Sequence, residues 1–176
     1  MVSSIFIITM NEPYAIMLQK ETETQANDSI EKWGIACRKF PFKLDGGTKE
    51  LAVRDWPGED GEDAFYPDEL KLKPYDIEPE LVYVGNLGEA ATNILAFRDY
   101  LTGADGLGVE MRIYNSHTGI GRKSCHWVEM GDMTFNKEED EEVLQFSLKI
   151  RVADPKTRII AEYDTDGKIC ALNTTI

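Results

Sequence analysis

Polar and apolar residues alternate with period two along several stretches of this chain, and follow a helical period along one. The clearest strand covers 143–152 (VLQFSLKIRV). There Leu144, Phe146, Leu148, Ile150 and Val152 fall on one face, and Val143, Gln145, Ser147, Lys149 and Arg151 on the other. The stretch 71–84 (KLKPYDIEPELVYV) alternates in the same way. It sets Tyr75, Ile77, Leu81 and Tyr83 opposite Asp76, Glu78 and Glu80. Pro74 and Pro79 cannot donate to a ladder, so this strand is expected at a sheet edge or broken by a bulge. Val109, Met111 and Ile113 alternate with Glu110, Arg112 and Tyr114, and a further strand is expected near 122–130. A last pair, 159–163 and 168–172, flanks DTDG, whose Asp166-Gly167 suits a tight hairpin turn.

The one helical pattern covers 88–101 (GEAATNILAFRDYL). Ala90, Ile94, Phe97 and Leu101 recur at i, i+4, i+7 and i+11 and form one apolar stripe. Asn86 or Gly88 is placed to cap its start, and Gly103 to end it in the left-handed conformation. A lone amphipathic helix among strands is expected to cover an open edge or end of a sheet.

The first fifty residues are harder to assign. Residues 20–32 (KETETQANDSIEK) are polar and read as a loop or irregular arm, whereas 33–42 (WGIACRKFPF) reads as a strand. Asp45-Gly46-Gly47 is a turn signal, and 49–55 a short strand. The total is about seven to nine strands and one helix. It predicts a mainly β, antiparallel sandwich or barrel with the helix packed on it. In this reading 1–32 form an N-terminal arm and polar loop, and 33–176 a single domain.

Composition adds a charge pattern. The chain's 176 residues carry 32 acidic and 19 basic side chains, a formal net charge of −13. Residues 55–70 (DWPGEDGEDAFYPDEL) hold seven of the acids and 138–142 (EEDEE) five more, with no Lys or Arg in either window. The rest of the chain, with 20 acids and 19 bases, is close to neutral. Like charges packed this densely resist burial, so both segments are expected on exposed loops. The charge also disfavours tight binding to nucleic acid or anionic lipid, which relies on Lys and Arg. No stretch approaches the roughly 20 apolar residues of a membrane span. Cys37, Cys125 and Cys170 are widely spaced and form no CxxC pair, as suits reduced thiols in a cytosolic setting better than a disulfide framework.

The candidate chemistry is sparse. His117 and His126 match no common zinc spacing, and Cys125 and His126 should point to opposite faces of a strand. The segments GADGLG (103–108) and TGIGR (118–122) do not lie between a strand and a helix N-terminus, as phosphate binding requires. The acidic loop matches no calcium-loop spacing, and DTDG lacks the later ligands of one. No catalytic residue, metal site or cofactor is assigned. Trp33, Trp56 and Trp127 are scattered, as core aromatics are.

The order of features from 33 to 122 resembles the N-terminal β-sandwich of distal tail proteins from long-tailed bacteriophages and prophages. The resemblance rests on Pro57, Gly58, Asp60 and Gly61 in a turn and on Phe97, Tyr100, Leu101 and Gly103 in a helix. It extends to Ile113 and Tyr114 in a strand, and to Gly121 and Arg122 closing a loop. Segment 143–155 resembles the late strand of such tail domains, and related tube or terminator subunits share the core. The resemblance implies a non-enzymatic structural subunit that joins copies of itself in a ring, a hexamer in the family, and binds other tail proteins. It would be found in the bacterial cytoplasm during assembly and in the virion tail afterwards. Strand 71–84, with Tyr75 and Ile77, and the apolar N-terminus are the expected contact surfaces. An acidic lumen would let DNA pass without sticking. Two other readings stay open: a monomeric carbohydrate-binding sandwich with exposed aromatics in a groove, and a hydrolase using acidic-loop carboxylates.

Overall fold

The computed structural model describes residues 14–41, 46–138 and 141–174. In chain order, β1 (Ile16–Lys20) and β2 (Asn27–Asp28) precede a one-turn helix, α1 (Ser29–Trp33), and then β3 (Ile35–Lys39). Two short strands, β4 (Val53–Arg54) and β5 (Asp63–Ala64), are followed by β6 (Tyr75–Ile77), β7 (Glu80–Asn86) and the long helix α2 (Ala90–Thr102). The chain then runs through β8 (Met111–Asn115), β9 (Ile120–Met130), β10 (Thr134–Glu138) and β11 (Glu141–Val152). It ends with the hairpin β12 (Ile159–Tyr163) and β13 (Ile169–Thr174).

All pairings between these strands are antiparallel, and β11 joins two halves of the main sheet. Its first half lies between β7 and β10, its second half between β6 and β9. The neighbours run β2-β1-β8-β9-β11-β7-β3. The run then returns to its start just ahead of β1, where the Tyr14 amide donates to the Cys37 carbonyl at 3.0 Å and the Cys37 amide to Tyr14 at 2.7 Å. The sheet therefore folds over on itself and encloses one core. The fold is mainly antiparallel β, of sandwich or barrel type, with a helix packed on it.

Alternation decides what enters that core. Ile16 and Leu18 of β1, Ile35 and Cys37 of β3, and Leu81 and Tyr83 of β7 all face inward. So do Met111 and Ile113 of β8, and Phe146, Leu148, Ile150 and Val152 of β11. Helix α2 adds Ala90, Ile94, Phe97, Tyr100 and Leu101, so the apolar stripe read from the sequence is the buried stripe. Trp33, at the end of α1, meets Phe97 edge-on at 5.2 Å and Tyr100 at 4.9 Å. Gly103 ends α2 at φ 77, as expected, but Glu89 occupies the N-cap without a side-chain cap, and Asn86 donates to the Glu89 carboxylate instead.

The terminal hairpin lies outside the main sheet. Ile159 and Leu172 pack on Met17 and Tyr114, the outward residues of β1 and β8. Gly121 of β9 allows this contact, because a Cβ there would lie 2.7 Å from the Ile159 Cβ and 2.9 Å from the Ile113 carbonyl. Gln19 accepts from the Leu172 amide at 2.6 Å, and Arg112 bridges Glu21 and the Leu172 carbonyl.

Several expectations are corrected. Residues 14–32 are not an arm: β1 pairs five residues with β8 and supplies core, and α1 is a capped helix. Asp28 Oδ1 accepts from the Ile30 and Glu31 amides at 2.8 and 3.0 Å. Trp33 belongs to that helix, and the strand after it spans only Ile35–Lys39. Stretch 71–84 is two strands divided at Glu78-Pro79, with the Pro79 carbonyl accepting from the Leu148 amide. The break is the one the prolines predict, but β7 is no edge, since β3 and β11 flank it. Strand β10 had no sequence assignment. Residues 1–13, Asp45 of the expected turn, and 139–140 within the second acidic segment lie outside the described residues, as do the side chains of 136–138, 141 and 142.

Candidate functional site

Segment 47–73 leaves the sheet as a hairpin. Its base is held by the Lys49 amide donating to the Lys71 carbonyl (2.7 Å) and the Lys73 amide donating to Gly47 (2.8 Å). Further out, Val53 pairs with Ala64 and Arg54 with Asp63, and the Phe65 amide donates to the Ala52 carbonyl at 2.9 Å. The turn region carries Gly58 at φ 103 and Gly61 at φ 89, values that only glycine adopts without strain. Pro57, Gly58, Asp60 and Gly61, which carry the family resemblance, all sit on this exposed tip.

The hairpin is exposed along nearly its whole length, including the acids Asp55, Glu59, Asp60, Glu62 and Asp63. The first acidic segment is thus solvent-facing, as expected of crowded like charges. Of the three tryptophans read as core aromatics, Trp33 is buried and Trp127 packs against the core, but Trp56 is not a core residue. Trp56 is 46% exposed, Phe65 69% and Tyr66 78%. Arg54 stacks on the Trp56 ring with 4.7 Å to its centroid. The outgoing limb is tied to the body by Glu69, which pairs with Lys71 at 2.9 Å and Lys156 at 2.5 Å. Hydrogen bonds from these two ammonium groups, Lys156 first, pull the Glu69 carboxyl down to about 2.

The other candidates from the sequence lie inside the molecule. Tyr75 and Ile77 are core residues at 6% and 5% exposure, so they offer no contact surface. The Tyr75 hydroxyl accepts from Arg122 Nε at 3.2 Å, and the Arg122 guanidinium also donates to the Gly121 carbonyl. The cavity beside this pair is about 20 Å³, room for about one water. Phe97 and Tyr100 lie in the helix–sheet core, and Tyr114 lies beneath the terminal hairpin. The motif residues therefore divide into a hairpin tip and a set of packing positions, and they do not converge on one site.

The chemistry-bearing groups are similarly dispersed. All three cysteines are free. Burial pushes the Cys37 thiol up to about 11 and the Cys125 thiol up to about 12, so neither is a ready nucleophile. His126 is exposed while its neighbour Cys125 is buried, and His117 stacks on Tyr14 at 5.2 Å. Among the described residues no group of three or more His, Cys, Asp or Glu is placed to hold a metal. None of their helices is long and apolar enough to cross a membrane.

One buried polar cluster had no sequence signal. Lys20 is fully buried, its ammonium 2.6 Å from Asp105 and 4.4 Å from the Tyr100 ring centroid. The Tyr100 hydroxyl donates to Glu23 at 2.7 Å, and Asn27 donates to the same carboxylate. Burial would raise Asp105, but the hydrogen bonds from Lys20 and the Leu107 amide hold it below the usual carboxylate range. The cluster clasps loop 103–108 to the turn after β1. A lysine at the end of a polar-looking stretch reads as a surface residue, and only the tertiary contact reveals otherwise.

A folded-over antiparallel sheet with one covering helix defines a class of β-sandwich domains. Within that class, a solved structure titled "Crystal Structure of SPP1 Dit (gp 19.1) Protein, a Paradigm of Hub Adsorption Apparatus in Gram-positive Infecting Phages" has a similar fold. The TM-score is 0.52 at 12% sequence identity, covering 82% of this chain and 52% of that one. The chain thus spans about half the length of that protein. No protein-family model and no curated protein sequence matches the chain.

Proposed function

We propose that this chain is a structural subunit of a phage or prophage tail, of the distal-ring type, that acts by binding copies of itself and other tail proteins. The reading carries no catalytic step. The observation that supports it is the fold shared with SPP1 Dit over 82% of the chain. The short motifs at Pro57–Gly61, Phe97–Gly103 and Gly121-Arg122 point the same way from the sequence. Ring contacts are heterologous, made between different surfaces of identical subunits.

With Tyr75 and Ile77 buried, the contacts fall to other surfaces. Strand β10 pairs only with β11 among the described residues, which leaves its outer edge open, and Phe135 on it is 53% exposed. The test is genomic. Flanking genes for a tape-measure protein and other tail components are the expected result, and a gene embedded in a metabolic operon would overturn the proposal.

A further inference from the structure

We infer that residues 52–65 are a hinged arm that swings as one body, and that the ion pair between Glu69 and Lys156 is the latch that fixes its angle. This inference does not depend on the tail assignment, because it concerns the motion of a single chain. The arm has backbone order of its own. Val53 pairs with Ala64, Arg54 with Asp63, and the Phe65 amide donates to the Ala52 carbonyl. Yet every residue from 52 to 65 is exposed except Ala64, which is half-buried. Apolar burial fixes the angle between packed elements, and the arm has almost none.

The hairpin base, by contrast, is fixed to the body. Besides the Lys49–Lys71 and Lys73–Gly47 backbone bonds, Gly46 lies so close to β6 that a Cβ there would fall 2.6 Å from the Tyr75 Cβ. Between base and arm run two limbs of unequal length, 50–51 and 66–70. Among the described residues no backbone hydrogen bond joins one limb to the other. Pro67 has no amide to donate to a continued ladder, so the longer limb stays unpaired. Two unpaired limbs between two paired regions are where the chain bends at least cost.

Glu69 stands on the longer limb. Its partner Lys71 belongs to the hairpin base, whereas Lys156, at 2.5 Å, belongs to the link from β11 to β12. Among the described residues no other hydrogen bond or ion pair joins 50–70 to anything outside 47–73. Lys156 is a fixed post. Asp154 Oδ1 accepts from the Lys156 and Thr157 amides, each at 3.0 Å, and the Ala153 amide donates to the Ser124 carbonyl at 3.1 Å. Both ends of the latch are exposed, so salt screens it and a charged group of a partner competes for it. Release presents the tip, with Trp56 and Pro57–Gly61, at a second angle.

The test is NMR of the isotope-labelled full chain, reading residual dipolar couplings and cross-strand contacts. In the wild type at about 0.01 M salt, amides of 52–65 should share the order of the body, an order parameter of about 0.85. Lys156→Gln, Glu69→Gln or about 0.5 M salt should each lower it below about 0.6 over 52–65 alone. Salt should have no further effect on Lys156→Gln, and Lys71→Gln should leave the arm latched, since Lys71 sits on the base. The Val53–Ala64 contacts should persist throughout. A two-stranded hairpin is marginally stable alone, so their loss would mean that the arm melts instead of swinging, and overturns the inference. It is equally overturned if the order of 52–65 is unchanged by all three perturbations, if the arm is already disordered at low salt, or if Lys71→Gln releases it as fully as Lys156→Gln.

Discussion

The buried polar groups make the sharpest residue-scale predictions. Lys20 has its ammonium neutralised by Asp105, whose side chain is 25% exposed. Removing one partner of a buried pair strands the other charge, so Asp105→Asn should cost about 2–3 kcal/mol in denaturant unfolding. Lys20→Met, which removes the charge and keeps the chain length, should cost much less. Ser124 has φ 51, the one positive value among the described non-glycine residues. Ser124→Gly should relieve left-handed strain and raise stability by up to about 1 kcal/mol in the same assay.

The buried thiols set the alkaline limit. Burial raises Cys37 from 9.0 to about 11 and Cys125 from 9.0 to about 12, and Tyr14 rises from 10.0 to about 12. The folded state prefers the neutral forms, so their contribution is full below about pH 9 and is lost as pH rises from there through about 11–12. Denaturation curves should show constant stability near pH 8 and a steep fall above 9.5. Thiol titration of the native protein should find Cys170 reactive and the other two protected until unfolding.

At the scale of elements, periodicity was the reliable guide. Helix α2 and strand β11 were legible because one face of each meets one core, and Phe97, Leu101, Phe146 and Ile150 sit where the pattern puts them. Stretch 71–84 was legible in its facing residues and its break, but not in its neighbours, since pairing partners are long-range facts that no local pattern carries. Segment 14–32 was obscured for a different reason. Its polar residues are satisfied by tertiary partners: Gln19 by the Leu172 amide, Lys20 by Asp105, and Glu23 by Tyr100 and Asn27. The candidate site was legible as an exposed acidic excursion, whereas the exposure of Trp56 was not, because a tryptophan in isolation reads as core.

The terminal hairpin tests this packing picture. It is held by one small cluster, by close approach at Gly121 and by the hydrogen bonds of Gln19 and Arg112 to Leu172. Gly121→Ala places a Cβ against Ile159 and the Ile113 carbonyl, so hydrogen exchange over 159–174 should accelerate while the α2 amides stay protected. Equal acceleration everywhere would mean that the hairpin is part of the main cooperative unit. Phe97→Ala, by contrast, should destabilise the whole domain by about 3–5 kcal/mol, since it opens the core between α2, Trp33 and the sheet.

At the scale of the whole molecule, the net charge of −13 resolves into a near-neutral body with two acidic segments, one of them on an exposed hairpin. In the proposed ring this hairpin is free to line a channel or to face outward, and either placement disfavours tight contact with DNA. Assembly is the central claim, and electron microscopy of the full chain at its highest soluble concentration, in parallel with light scattering, tests it most directly. Closed rings of identical subunits with a central opening are expected, and fewer rings for Phe135→Glu on the open edge of β10. A population that stays monomeric at every concentration, or that stops at two-fold dimers, would contradict it.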